Sequence, residues 1–200
     1  MTDFEPSEFE TTEPLLGRVV LITGANTGIG LVTAAELKRR GAHVFLACRS
    51  EERTMPALDR INKASGRVPA EFLPLDLGDF ASIRKCADLF MARKIPLHIL
   101  INNAGIFIAK PVTDYTEQDL DDLLNTNLKG VFFPTQQAAA HMAANKAGHI
   151  VNITAAIAMQ PNVKVPALLP VLIKGGLNNA TRALAIELAA AWVRHLNCHE

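Results

Sequence analysis

Short continuous apolar runs alternate along this chain with longer stretches whose apolar positions recur every three or four residues. RVVLIT (18–23) is β-branched and apolar almost throughout, the pattern of a strand buried on both faces. AHVFLAC (42–48), AEFLPLD (70–76), LHILINN (97–103) and GHIVNIT (148–154) repeat it. Helical patterns lie between. The first runs from a glycine-rich turn to Lys38–Arg40 and stops at Gly41, a residue suited to the position after a helix. The second covers EERTMPALDRINKASG (51–66), with Pro56 expected in its first turn. Asp79–Arg93 is amphipathic through Ile83, Ala87 and Phe90. Residues 116–144 read as one long helical stretch opened by Thr116 and Asp119 at capping-box spacing, and Ile173–Trp192 as an alanine-rich helix. The final WVRHLNCHE reads at best as a degraded sixth strand. Strands separated by helical crossovers predict a doubly wound α/β fold, a parallel sheet between two helical layers.

Length, charge and cysteine content narrow the class. Two hundred residues without repeats or an internal linker predict one domain over 15–200, preceded by a flexible acidic tail, MTDFEPSEFETTEP (1–14). Lys+Arg and Asp+Glu number 20 each, so no basic face is available and nucleic acid is not an expected partner. Cys48, Cys86 and Cys198 are far apart and form no metal pair, which fits free thiols in a reducing, cytoplasmic setting. The tail lacks the apolar run of a signal peptide, and no stretch approaches the roughly 18 consecutive apolar residues of a membrane span.

The chemistry starts at TGANTGIG (23–30), placed between the first strand and its helix. Gly24 permits a tight turn, Gly28 lets backbone approach a pyrophosphate, and Gly30 lets the helix close on the sheet. Asn26, Thr27 and Ile29 complete this cofactor-binding loop at a helix N-terminus, where backbone N–H groups favour phosphate. Where an NAD-binding fold usually places an acid for the ribose 2′-hydroxyl, the second strand ends in Cys48 and Arg49. A guanidinium there favours NADP(H) over NAD, although an ordinary solvated arginine is the alternative reading.

Taken together, these motifs resemble the short-chain dehydrogenase/reductase family. The resemblance rests on TGANTGIG, Leu75-Asp76-Leu77, NNAG (102–105), NTNLKG (125–130), GHIVNIT and IKGGLNNATRALAIELA (173–189), in the family's order from residue 18 to about 195. It implies a Rossmann-type fold, a nicotinamide cofactor and hydride transfer at a carbonyl or alcohol carbon of a small molecule. Asp76 and Leu77 would then meet adenine, and Asn103, Ala104 and Gly105 would meet the cofactor. Asn127 and Lys174 match catalytic positions, Lys174 also holding the nicotinamide ribose; a backbone brace and a surface lysine are their plainer readings. The family's serine and tyrosine are replaced by Ala155 and Pro170, and the one tyrosine, Tyr115, lies elsewhere. Pro170, lacking an N–H, is expected to interrupt the incoming turn, while Thr154 offers a hydroxyl if it faces the pocket. The apolar stretch 155–172 suits a hydrophobic substrate. The pattern therefore fits either a weakened NADP(H)-dependent oxidoreductase or a cofactor-binding, regulatory or oligomerisation module without turnover. The resemblance also implies a homodimer or homotetramer and a sheet lacking the family's last strand or strands. His195-Leu-Asn-Cys198-His199 looks superficially like a ligand cluster but is read as a frayed tail.

Overall fold

A computed structural model describes residues 14–63, 68–191 and 193–199. Residues 1–13 of the acidic tail, the last residues of the 51–66 pattern and Trp192 lie outside the described residues. Six strands form one parallel sheet: β1 (Val19–Thr23), β2 (His43–Cys48), β3 (Glu71–Pro74), β4 (Ile99–Asn102), β5 (Gly148–Thr154) and β6 (Val193–His199). Their order across the sheet is β3-β2-β1-β4-β5-β6, the doubly wound arrangement, whose order reverses between β1 and β4. A ligand crevice is expected at that reversal, outside the strands' carboxyl ends.

Helices α1 (Gly28–Arg39) and α2 (Glu51–Lys63) cover one face; α3 (Phe80–Met91), α5 (Gly130–Ala144) and α6 (Leu168–Glu187) lie on the other. Val20, Ile22, Val44 and Leu46 are fully buried beneath α1 and α2. Leu21, Phe45, Leu100 and Ile150 form the opposing core. A buried polar chain crosses this second layer. The Asn102 amide donates to Thr135 Oγ1 (2.9 Å) and Asn152 Oδ1 (2.8 Å), and the Asn152 amide donates to Thr181 Oγ1 (2.8 Å). It ties α5, β4, β5 and α6 at one level through directed bonds, although the buried Asn102 Oδ1 has no hydrogen-bond partner among the described residues.

Several sequence expectations are corrected. Pro56 lies at the sixth position of α2 rather than in its first turn, because Ser50 Oγ accepts from Arg53 N (3.2 Å) and starts the helix upstream. The 116–144 stretch is not continuous: α4 (Glu117–Leu123) passes into a wide π turn over Leu124–Lys129 before α5 begins. Pro134 has no N–H to return to the Gly130 carbonyl just beyond that turn. α6 starts five residues before Ile173 and ends at Glu187. Pro170 occupies its third position, where no helical partner exists for an N–H, so it does not break the turn. β6 pairs with β5 at all seven positions, so the expected degraded strand is a complete one, and His195 is a buried strand residue rather than part of a frayed tail.

Candidate functional site

β1 ends at Thr23, and the chain turns on Gly24 (φ 64°) and Gly28 (φ 57°), left-handed conformations that favour glycine. A Cβ on Gly24 would lie 2.8 Å from the Ala104 Cβ, and one on Gly30 would collide with the Asn103 amide. Both glycines are thus required by the closeness of the β4 loop. Above Gly28 nothing lies within 4 Å, which leaves open space against exposed backbone. The N-terminus of α1 has no side-chain cap from Thr27 and no acidic residue in its first turn. Its positive end therefore faces an open groove of about 340 Å³, lined by Gly24, Asn26, Thr27, Ile29 and Gly30 on one side and Asn103, Ala104 and Gly105 on the other. Eight of the residues expected to bind a cofactor thus meet in one place, and backbone N–H groups with open space form a cradle that fits a pyrophosphate.

The two lips are stapled together. Thr23 Oγ1 accepts from the N–H of Asn103 and of Ala104, each at 3.0 Å, and the Asn103 amide donates to the carbonyls of Thr23 (2.9 Å) and Gly24 (3.2 Å). Asn103 therefore shapes the groove by holding its base. Thr23, buried at the end of a strand, was not singled out in the sequence because its role is set by a contact 80 residues away.

Gly105 joins this groove to a second group of residues. A Cβ there would lie 3.1 Å from Asn127 Oδ1 and 3.5 Å from Lys174 Nζ. Asn127 sits in the π turn, fully buried. Its Oδ1 accepts from Ile106 N (2.9 Å) and its Nδ2 donates to Ile106 O (2.8 Å), so it braces the loop after β4. Lys174 Nζ, from α6, donates to the Ile153 carbonyl at the end of β5 (2.8 Å). Pro170 lies one helical turn before Lys174 on the same face and is buried; Ala155 follows β5 directly. Neither carries a group able to exchange a proton.

The remaining expected residues are placed around this core. Arg49 is exposed just past β2 and makes no hydrogen bond or ion pair to a described residue, while Cys48 before it is buried and burial pushes its thiol pKa up. Asp76 Oδ1 accepts from Gly78 N (2.9 Å), forming its own turn, and Leu77 packs against Gly130. The Thr154 hydroxyl is buried and lies toward β6, 3.5 Å from the Cys198 carbonyl. Tyr115 donates to the Ile108 carbonyl (2.9 Å) and holds the β4–α4 connection. That connection is locked further by Lys110, whose Nζ lies 2.7 Å from Asp119 Oδ2. With Thr116 also donating to it, the Asp119 carboxyl is held down to a pKa of about 2. Among the described residues no group of histidines, cysteines and carboxylates is arranged to hold a metal, and no helix is long and apolar enough to cross a membrane.

This sheet order, with a glycine-rich crevice at its reversal, defines a dinucleotide-binding α/β protein. Residues 18–199 match the family model for short chain dehydrogenases, and the chain belongs to the short-chain dehydrogenase/reductase family. A short-chain dehydrogenase/reductase of Armillaria gallica is 43% identical over 122 residues, which are 61% of this chain and 39% of that protein. Bovine retinol dehydrogenase 12 is 39% identical over 144 residues, 72% of this chain and 45% of that one. The chain thus spans less than half the length of these relatives. Among solved structures, a short-chain type dehydrogenase/reductase from Mycobacterium marinum superposes with a TM-score of 0.88 at 26% identity, over 94% of this chain and 75% of that one. A gluconate 5-dehydrogenase from Burkholderia cenocepacia in complex with NADP and tartrate gives 0.83 at 30% identity, over 92% of this chain and 72% of that one.

Proposed function

We propose that the chain is an NADP(H)-binding oxidoreductase for a carbonyl or alcohol carbon of a small hydrophobic substrate, with a degenerate catalytic centre. The observation that carries this reading is the meeting at Gly105 of an open glycine-rich cradle with Asn127 and Lys174. In this reading the nicotinamide group, when bound, supplies or accepts the hydride. The α1 N-terminus receives the pyrophosphate, and Asp76 and Leu77 approach the adenine. Lys174 meets the nicotinamide ribose, while Asn127 fixes the loop that carries Gly105. Arg49, exposed and without a hydrogen-bond or ion-pair partner among the described residues, grips a 2′-phosphate; no acid stands at the end of β2 to repel one. The solved relative that carries NADP supports this preference.

The substrate reading rests on Met159, Leu168 and Leu172, apolar side chains that stay 59%, 50% and 62% exposed around the end of β5 and the start of α6. The relatives named for retinol, itself an apolar alcohol, point the same way. Ala155 and Pro170 weaken the chemistry. A general acid contributes about 10²–10⁴ in rate, whereas positioning contributes about 7–11 kcal/mol, so turnover without the tyrosine is slow rather than abolished. The Asn127 amide is committed to Ile106, so the proton reaches the substrate from solvent beside the Lys174 ammonium.

The joint loss of serine and tyrosine also favours a second reading, a cofactor-binding, regulatory or oligomerisation module without turnover. A fluorescence titration with NADPH beside NADH, followed by a panel of aldehydes and ketones, separates the two. Saturable binding that prefers NADPH, with slow ketone reduction that rises at least tenfold in Ala155→Ser/Pro170→Tyr, is the outcome expected for the enzyme. Binding without turnover in either protein assigns the module, and no binding of either nucleotide overturns both.

A further inference from the structure

A second cavity lies on the other side of the central strands, between α3 and α5, and measures about 350 Å³. None of the residues of the glycine-rich groove lines it. Its floor is Leu21 and Leu100, at the middle of β1 and β4, and its walls are Cys86 and Ala87 on α3 and Ala138 on α5. The cause is compositional. Two packed helices need large side chains to fill the seam between them; Ile83 and Phe90 of α3 do so in part, while α5 lends Ala138, Ala140 and Ala144 to the lining. The exposures agree: Leu21 keeps 8% of its surface on this side, whereas Val20 and Ile22, its neighbours under α1 and α2, keep none. The α3/α5 layer is underfilled down to the sheet.

The lining defines what fits. No Asp, Glu, Lys or Arg lines the cavity. His141 Nε2 already accepts from Leu97 N at 3.0 Å. Burial pushes the Cys86 thiol up to about 11, so it stays uncharged. Gln137, half-buried in the lining, makes no hydrogen bond to a described residue and leaves one amide available. An apolar cavity of roughly 150 Å³ takes benzene, so this one has room for about two fused rings. We propose that the space between α3 and α5 is a binding site for an uncharged, two-ring-sized apolar molecule that carries one hydrogen-bonding group, received by Gln137. The site is separate from the cofactor groove and does not depend on the oxidoreductase reading.

The test is a titration of the whole chain with prodan, an uncharged two-ring fluorescent ketone, without nicotinamide nucleotide. Saturation at one dye per chain with blue-shifted emission, and a melting temperature that rises with dye concentration, are expected. Ala87→Leu and Ala138→Leu occupy the same space from opposite helices; each weakens dye binding about tenfold or more and leaves an NADPH titration unchanged. Failure of wild-type saturation overturns the site, as does equal dye affinity in folded forms of both variants. A dimer that Ala87→Leu dissolves also overturns it, since a second copy would then be the occupant. Should both variants fail to fold, wild-type protein decides: nuclear Overhauser contacts from bound prodan to the methyl groups of Leu21, Leu100 and Ala138 are expected, and their absence at saturating dye rejects the site. Loss of NADPH binding alone would strike the functional reading and leave this one standing.

Discussion

At the scale of single residues, Asn127 and Gly105 show how one position serves both fold and site. Asn127 spends its whole amide on the Ile106 backbone, so its replacement is first a structural loss. Asn127→Ala should cost about 1–3 kcal/mol in urea unfolding, from two net hydrogen bonds and the space left behind. Gly105→Ala is the complementary probe, because its methyl group would press on Asn127 Oδ1 and Lys174 Nζ without removing a bond. It should lower NADPH affinity about tenfold, roughly 1.4 kcal/mol, with little change in unfolding. Equal affinity in the variant would remove Gly105 from the account of the site. The glycines of the cradle were legible in the sequence because two of them need left-handed backbone and two need close approach, demands that only glycine meets. Thr23, Ile106 and the Ile153 carbonyl were not, since each acts through a contact at least 21 residues distant in sequence.

At the scale of elements, the clearest sequence signal was also the most local. Thr116 and Asp119 predict a capping box and form one, with the Asp119 carboxylate shared by Lys110 from the preceding loop. Thr116→Ala should therefore cost about 1 kcal/mol, read as a shift in the unfolding midpoint. Asp119, with its folded pKa held to about 2 against an ordinary 3.8, supports the fold above the unfolded value. That support is lost as pH falls from about 4 through about 2, and Asp119→Asn should flatten the melting curve over this window and only there. Non-local elements were harder to read. The π turn lacks a propensity signature of its own; the inward pull of Asn127 on Ile106 accompanies it. β6 escaped because VRHLNCH places polar residues on both faces. A buried parallel strand should be apolar on both, but α1 and α2 do not reach this end of the sheet, and Leu196 stays 60% exposed.

At the scale of the whole molecule, the sheet is strong at β2-β1-β4 and polar toward its β6 edge. Three histidines run from the centre of the sheet to that edge: His98 beside β1 just before β4, His149 in β5 and His195 in β6. His98 Nδ1 accepts from Val19 N at 3.0 Å, which only the neutral ring can do. Burial, then the charge of Arg18, lowers its pKa below 6.5; burial, then Arg194 and Arg18, does the same to His149. His195, paired with Ile150 in the sheet and 8% exposed, is lowered by burial, and neither ring nitrogen has a partner among the described residues. In each case the folded pKa lies below the unfolded one. Above about pH 6.5 neither state binds the proton and the histidines leave stability unchanged with pH. Below it the unfolded chain takes up protons that the folded chain refuses, so stability falls as pH drops from about 6.5 toward each folded value. Melting temperature should therefore decline between pH 7 and 5, well before Asp119 contributes. His195→Leu removes a buried, unpaired polar ring at similar volume and should raise stability by about 1–2 kcal/mol at pH 7. It should also make the decline toward pH 5 shallower than in the wild type. Parallel pH curves for the two proteins would show that His195 does not carry the acid sensitivity and would leave it to His98 and His149, beside Arg18 and Arg194.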